Sequence, residues 1–487
     1  MTKSTIKIAL ISFLKFSINT RLLASYLKEN GISVLSYYCI EKLDKLGLQK
    51  LISHLKEQNV TFVGVSLITD NYENAVTITK AIKSEINVQV IWGGAHPTIM
   101  PDECLKYADM VCRGEGEEAL LEVLESFSMQ GQVNTSIRNI WFNFKGKVIR
   151  NEIRNLVEDL DKYPFPDFDL SSQYILTNGG IDKFEEKHLL GEYGIMTSRG
   201  CPHSCAYCYN SYRRKHYEGK GRYLRVRSIE NSIGELVMAK KIFKNLKRIN
   251  FWDDSFVARH LEEFQIFETL YRERVNLPFF ALIEPMAYDY NKIKLLRDAG
   301  LFFLQVGIQS GSDRINKEIY KRFVSKEKIY AMAKSIHALG IRAVYDVIFN
   351  NPYETKSDIR ETIHMFSKFP RPLFLQGYNL IFYPGSDLTA KALRDGYISL
   401  NMKAEDFSLI QGEHNSPLNL RGKSEISGRF YTINYDPSNK SYLNSIIFIL
   451  GLRNIPRKVA LFFGNSESPF KTWLLNILIK RYPLAFR

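Results

Sequence analysis

The residues best suited to chemistry form one short run, Cys201-Pro202-His203-Ser204-Cys205-Ala206-Tyr207-Cys208, preceded by Thr197-Ser198-Arg199-Gly200. Cysteines separated by three and then two residues can wrap three irons of a 4Fe–4S cluster, for which thiolates are the usual ligands. Three ligands leave the fourth iron open, and an open metal position marks a catalytic rather than a purely structural site. Gly200 and Pro202 suit a loop that folds tightly around such a body. A zinc site would want a fourth Cys or His; His203 lies between the ligands and is poorly placed, which leaves His216 as the alternative. Half of the chain's six cysteines fall within this run, so chance clustering explains it poorly.

Such a loop needs a framework, and the pattern that follows it provides one. Helices over 229–242, 260–273, 292–299, 326–339 and 357–368 alternate with strands over 248–252, 279–283, 301–308, 342–349 and 373–382. With a strand before the cysteine loop this predicts six β/α units, a partial parallel β/α barrel, (β/α)6, with its active face at the strand carboxyl ends. Ahead of the loop, strands over 6–12, 32–38, 60–67, 88–92 and 110–113 alternate with helices over 21–30, 48–58, 72–85 and 101–107. A further helix starts at the acidic residues 115–118, and Gly31 is expected to close the first helix in the left-handed conformation. The pattern predicts an α/β fold, a doubly wound, flavodoxin-like parallel sheet whose ligands bind beyond the strand carboxyl ends.

Two loops on that edge are informative. Gly93-Gly94-Ala95-His96-Pro97-Thr98 and Arg113-Gly114-Glu115-Gly116-Glu117 each follow a strand directly. Their glycines either let a ligand approach the backbone or merely close tight turns, and the two readings stand level. Next, 137–144 and 148–153 flank Lys145-Gly146 as a hairpin, and Asp159–Phe168 is a proline-punctuated connector. The expected divisions are residues 1–135, a hairpin and linker over 136–190, the barrel over 191–386, and a mostly helical, basic and partly apolar extension over 387–487.

The stretches VGVS, IWGGAHPT and ADMVCRGEGE resemble the cobalamin-binding domain found at the N-terminus of many radical S-adenosylmethionine (SAM) enzymes, those of the class B methyltransferase type. The CxxxCxxC spacing, with Tyr207 before its last cysteine, resembles the radical SAM motif itself. Asp253-Asp254, Gly307–Ser312, Asn350–Thr355 and Tyr383-Pro384-Gly385-Ser386 resemble further family segments in the family's order. The resemblance covers residues 5–400. It implies a 4Fe–4S cluster on Cys201, Cys205 and Cys208. It implies SAM near Tyr207, Asp253, Gln309, Ser310 and Asn351, and cobalamin near Ser66, Gly93, Gly94, His96, Gly114 and Glu115. The open iron would chelate SAM and the reduced cluster would cleave it to a 5′-deoxyadenosyl radical, with the protein left to position and exclude water.

Three positions depart from the family. Gln309 stands for the commoner Glu, Asn350 stands for Gly, and the loop FLKFSINTRLL after the first strand lacks the His that ligates cobalt from below in the best-known cobalamin domains. Cobalamin is therefore expected to bind without that ligand. His96 is placed either at the cofactor's periphery or, by default, on a surface turn. The implied activity is methylation of an unactivated carbon of a small-molecule or lipid-like substrate, between the two domains, with an electron donor such as flavodoxin or ferredoxin. A non-methylating cyclisation or rearrangement is an alternative. So is a methylthiotransferase with a second cluster on Cys39, Cys104 and Cys112, though these read better as core or surface thiols. From another class, a non-catalytic cobalamin or redox sensor has no use for an open iron. No residue is assigned to hydrogen or methyl acceptance.

Charge raises a separate question. Sixty-six Lys and Arg against 52 Asp and Glu give the 487 residues a formal +14, which suggests an anionic partner. Ser211–Ser228 carries seven Lys/Arg and one Glu; it reads either as a solvated loop or as a contact for anionic cofactors, and its Arg225-Val226-Arg227-Ser228 matches a family segment. Nucleic-acid signatures are missing, which disfavours that class. After Ser441 another seven Lys/Arg and one Glu lie among apolar clusters. These suggest interfacial helices on anionic lipid or, equally, a cap over the barrel. The N-terminal MTKSTIKIALISF lacks the features of a signal peptide, and there is no uninterrupted apolar run of about 18 residues. The expectation is a cytoplasmic protein, with peripheral contact at the inner membrane face through its C-terminus.

Overall fold

The structure, a computed structural model, describes residues 6–144, 146–400 and 431–433. The chain divides into two units, residues 1–195 with 216–247 and residues 196–215 with 248–487.

The first unit is built on β1 (Lys7–Ser12), β2 (Ser33–Cys39), β3 (Phe62–Ser66), β4 (Gln89–Gly93) and β5 (Met110–Cys112). They lie parallel in the order β5-β4-β3-β1-β2. Between them run α1 (Ile18–Glu29), α2 (Lys45–Glu57), α3 (Tyr72–Glu85), the short α4 (Ala95–Ile99) and α5 (Pro101–Cys104), then α6 (Glu117–Gln130). Alternation along each strand sorts the side chains into two cores. Ala9, Ile11, Val63, Val65, Val90 and Trp92 pack with Leu51, Leu55, Ile78 and Ile82 of α2 and α3. Ile8, Leu10, Val34, Phe62 and Ile91 pack with Ala24, Leu27, Leu120 and Leu124 of α1 and α6. Both faces are covered, as near-continuous apolar strands require.

Local chemistry sets the element ends. Asp44 accepts from the Gly47 N–H and starts α2 three residues before the predicted boundary. Gly31 is left-handed at φ 80°, as expected of the residue after α1. The predicted loop at His96–Thr98 is instead the helix α4, which the left-handed Gly94 introduces. Parts of the predicted hairpin and linker, 136–190, extend the sheet itself. β6 (Ile140–Phe144) and β7 (Lys147–Arg150) form the hairpin and add antiparallel beside β5; β8 (Gln173–Thr177) runs parallel to β2 and pairs with β9 (Gly180–Lys183). Their short, partly exposed runs carried too little periodicity to signal this. After β10 (Glu192–Ile195) come β11 (Ser198–Arg199) and α7 (Tyr209–His216). β12 (Arg225–Val226) and α8 (Ile229–Ile242) then complete the first unit.

In the second unit, β13 (Arg248–Phe251), β14 (Phe279–Ile283), β15 (Leu301–Gln309), β16 (Arg342–Phe349) and β17 (Phe374–Asn379) are parallel and adjacent in chain order. They alternate with α9 (Leu261–Arg274), α10 (Tyr290–Ala299), α11 (Lys326–Ala338) and α12 (Lys356–Ser367). This is the barrel-type β/α repeat read from the sequence. A π-helix at Ile315–Ile319 was not anticipated. The unit continues through α13 (Asp387–Arg394) to β18 (Ile398–Leu400), which pairs antiparallel with β19 (Tyr431–Ile433). The predicted interfacial helices beyond Ser441 lie outside the described residues. Among the described residues no helix is long and apolar enough to cross a membrane.

The loop after β15 is bolted to α12. Gly311 N donates to Thr362 Oγ1 at 2.8 Å, and Ser312 Oγ donates to Asp358 Oδ1 at 2.6 Å. A Cβ on Gly311 would sit 2.5 Å from Thr362 Cα and 3.0 Å from its nitrogen, so backbone must move to admit one. Gly311→Ala should therefore destabilise the protein by about 2 kcal/mol or more, as overpacking does. A thermal or denaturant midpoint matching the wild type would show that α12 yields freely.

Candidate active site

The cysteine loop joins β11 to α7 and has almost no regular structure of its own, so neighbours hold it. Thr197 N, Thr197 Oγ1 and Ser198 Oγ donate to Asp253 Oδ1 at 2.8, 2.9 and 2.5 Å. Ala206 N donates to the Tyr320 carbonyl at 2.9 Å, and Leu388 N to the Ala206 carbonyl at 2.8 Å. Arg214 donates to the Cys201 carbonyl. Cys201 and Cys205 are buried, Cys208 is half-buried, and all three are free thiols. Each sulfur meets a donor: the His203 backbone for Cys201, Arg322 Nη1 at 3.5 Å for Cys205, and Asn210 Nδ2 at 3.8 Å for Cys208. Burial pushes the Cys201 thiol up, and that of Cys208 up to about 11.

His203 does not join the thiols as a ligand. Its Nε2 lies 2.9 Å from Glu284 Oε1, an oxygen that also accepts from Ser255 Oγ at 2.5 Å. Among the described residues no three His, Cys, Asp or Glu side chains converge where one metal ion could sit. Glu284 was missed from the sequence, though a carboxylate directly after a β/α-barrel strand was a usable signal.

The residues expected near SAM take different parts. The Tyr207 hydroxyl accepts from Arg322 Nη1 at 3.1 Å, and its ring meets Tyr320 edge-on at 5.0 Å. Asn351 is fully buried and donates from Nδ2 to the Tyr320 hydroxyl at 3.1 Å. Ser310, also fully buried, reaches Glu354 Oε1 at 3.3 Å and Thr362 Oγ1 at 3.4 Å. Gln309 ends β15 in the left-handed region at φ 72°. Asp253 is 2% exposed; burial raises its carboxyl, and Oδ2 has no partner. Tyr207, Tyr320 and Asn351 are thus connected, while Asp253 braces the entry to the cysteine loop.

Gln305, Asp346 and Tyr378 stand side by side on β15, β16 and β17. Gln305 Nε2 donates to Asp346 Oδ2 at 2.8 Å and to the Tyr378 hydroxyl at 3.1 Å. Asp346 Oδ1 is buried without a partner, and burial pushes this carboxyl up to about 7.

In the first unit, Ser12, Ser66 and Gly93 lie in register along the carboxyl edge of β1, β3 and β4. Only Cys112 Cβ approaches within 4 Å of the space a Gly93 side chain would fill. The loop after β1 is occupied by its own residues: the Arg21 guanidinium lies 3.7 Å over the Phe16 ring and donates to the Asp167 carbonyl and the Tyr193 hydroxyl. His96 corrects the expectation of a surface turn. It is fully buried, with Nδ1 3.2 Å from Thr69 Oγ1 and its ring edge-on to Tyr72. Glu115 forms a two-point ion pair with Arg225 at 2.5 and 3.1 Å, and its backbone N–H donates to the Tyr217 hydroxyl at 2.8 Å. Tyr217 also covers Gly114, where a Cβ would fall 1.9 Å from that hydroxyl.

Residues 195–366 match the radical SAM superfamily, and residues 9–124 match the B12 binding domain. The chain joins a B12 binding domain to a radical SAM domain. It is 27% identical over 364 residues to an uncharacterised methyltransferase of Pyrococcus horikoshii, PH0819, covering 73% of this chain and 74% of that one. Its fold is similar to that of the radical SAM methyltransferase TsrM from Kitasatospora setae, solved with cobalamin and a [4Fe-4S] cluster, at TM-score 0.68, 14% identity and 99% coverage of both chains. It is also similar to the cobalamin-dependent radical SAM enzyme OxsB, solved with aqua-cobalamin and SAM, at TM-score 0.69 and 15% identity, covering 99% of this chain and 76% of that one.

The enzyme's residues fit these cofactors. Soft thiol donors that are buried and already hydrogen-bonded at sulfur suit an iron–sulfur cluster, and coordination removes the thiol protons that burial otherwise retains. The open edge at Ser66 and Gly93 suits a ligand seated beyond the strands, and the loop after β1 offers no histidine to cobalt. The alternative second cluster fails: Cys39 and Cys104 belong to the core on one face of the sheet and Cys112 to the core on the other. Burial holds Cys39 and Cys112 up near 12.

The basic run also reads differently in three dimensions. Arg225 pairs with Glu115, Arg227 with Glu235, Lys215 with Asp387 and Lys220 with Glu152. Four of the seven cations thus meet carboxylates of the chain itself, the Arg225 and Arg227 pairs buried and the Lys215 and Lys220 pairs at the surface.

Asp346 gives a pH-dependent prediction. Its folded value of about 7 exceeds the ordinary one, so the stability of the protonated form is full below about pH 4 and lost as pH rises through 7. The loss amounts to about 4 kcal/mol at most. Asp346→Asn should melt above the wild type at pH 8 and level with it near pH 4. A difference that stays constant across that range would rule out a buried acid.

Proposed function

We propose that the enzyme is a cobalamin-dependent methyltransferase acting on an unactivated carbon of a small molecule, with a one-electron donor of the flavodoxin or ferredoxin class as partner. The observation that carries the reading is the three-thiol loop, buried at Cys201 and Cys205, beside a parallel β/α array, in the same chain as a doubly wound sheet with an open carboxyl edge. When bound, the cluster supplies one electron for cleavage of SAM, and cobalamin carries the methyl group.

The protein's own contribution is positional. Cys201, Cys205 and Cys208 would hold the cluster. Asp253 and the Tyr320 carbonyl fix the two ends of its loop, and Glu284, shared by His203 and Ser255, fixes the middle. Tyr207 and Tyr320 pack with Ala206, Ile348, Leu380 and Phe382, an apolar surround that keeps water from a reactive centre. Ser66, Gly93 and Gly94 would face cobalamin at the sheet edge. Gly94 needs its left-handed φ of 103°, because a Cβ there would meet the Leu67 carbonyl at 2.7 Å. A methyl acceptor that lacks an acidic proton explains why radical chemistry is needed at all. Relatives named as methyltransferases favour methyl transfer over cyclisation.

Anaerobic reconstitution of the full chain tests this. About four irons per chain should load, and SAM with reductant should yield 5′-deoxyadenosine, both lost in Cys205→Ala. Production in cells supplied with cobalamin should return bound corrinoid. Iron loading without 5′-deoxyadenosine would refute radical chemistry. Cleavage of SAM by a protein that never retains corrinoid would leave a non-methylating reaction instead.

A further inference from the structure

Arg322 is the residue that neither the motifs nor the family match singles out, and its setting is unusual. The chain leaves β15, makes the π-helix Ile315–Ile319 and turns through Lys321 in the left-handed region at φ 57° before reaching it. Irregular helix turns and left-handed non-glycine residues persist where the surroundings demand a particular placement. Here the placement drives a guanidinium into the interior, with 3% of the residue exposed. Nη2 donates to the Gly307 carbonyl at 2.5 Å, and Nη1 to the Tyr207 hydroxyl at 3.1 Å and to Cys205 Sγ at 3.5 Å. Nε is buried without a partner. None of these hydrogen bonds goes to a carboxylate; Glu284, whose charge it feels, bonds His203 and Ser255 instead.

A permanently charged group buried without a counter-ion is costly. The cost falls if an anion occupies the neighbouring sulfur. A cluster on three thiolates is such an anion, and its reduced form carries one more negative charge than its oxidised form. We propose that Arg322 is a positioning residue of the cluster, donating to the Cys205 sulfur and favouring the reduced state by its buried positive charge. One electron enters from the external donor and no proton moves. The inference rests on the assignment of the cluster to Cys201, Cys205 and Cys208.

The experiment is an EPR-monitored redox titration of the reconstituted full chain, dithionite supplying the electrons, for the wild type, Arg322→Gln and Arg322→Lys. Loss of the positive charge in Arg322→Gln should shift the one-electron equilibrium toward the oxidised cluster at least tenfold, about 59 mV downward. Arg322→Lys should stay within about threefold of the wild type. Iron uptake by Arg322→Lys but not by Arg322→Gln would equally support a charge requirement. An unshifted Arg322→Gln, or equal shifts in both variants, would overturn the proposal. So would loss of fold in both by circular dichroism, which would make Arg322 merely structural. If the wild type itself takes up no iron, the cluster assignment fails first, and separately.

Discussion

Three thiols on a loop with no hydrogen-bond ladder of its own must be held at fixed separations without collapsing into a disulfide or turning to solvent. Almost every polar contact near Cys201–Cys208 bears on that problem. Asp253, at the end of β13, gathers Thr197 and Ser198. Tyr320, after the π-helix, takes the Ala206 N–H, and Arg322 reaches Cys205, Tyr207 and Gly307 together. The parallel β/α array matters because it brings strand ends from distant parts of the chain to one place, where such anchors can converge. A buried loop whose backbone polar groups are satisfied in this way is rigid enough to position a cofactor.

The first unit solves a different problem with simpler means. A parallel sheet buried on both faces requires apolar residues at every strand position, and the two cores sort them by alternation. Sheets of this kind take their ligands beyond the strand carboxyl ends. Along that edge the small residues Ser66 and Gly93 leave room, while Tyr217 covers Gly114 and Arg225 neutralises Glu115. Two of the expected cobalamin residues are therefore engaged with the chain's own 216–226 segment.

Charge illustrates how composition can mislead. The run Ser211–Ser228 is strongly basic as a string of residues, yet its cations find carboxylates from positions as distant as Glu115, Glu152 and Asp387. Such pairing takes up cations that the bare string of residues would assign to an anionic partner. Arg322, the cation that does lie against the Cys205 sulfur, sits outside that basic run.

The sequence by itself singled out the cysteine run as a candidate cluster site and determined the alternation of strands and helices and the order of the two α/β folds. Each is written in local spacing: three and two residues between cysteines, two per strand repeat, about 3.6 per helical turn. It also read Cys39, Cys104 and Cys112 as core or surface thiols, and the structure buries all three. Only the tertiary structure decided which side chains near those cysteines are anchors. Asp253, Ser310 and Asn351 were legible as motif members, but their engagement with Thr197, Glu354 and Tyr320 depends on contacts across tens of residues. The burial of His96, the extension of the sheet by β6–β9 and the approach of Arg322 to Cys205 belong to the same class. Periodicity reports the face a residue occupies, whereas a hydrogen-bond partner brought from a distant part of the chain is set by how complete elements pack.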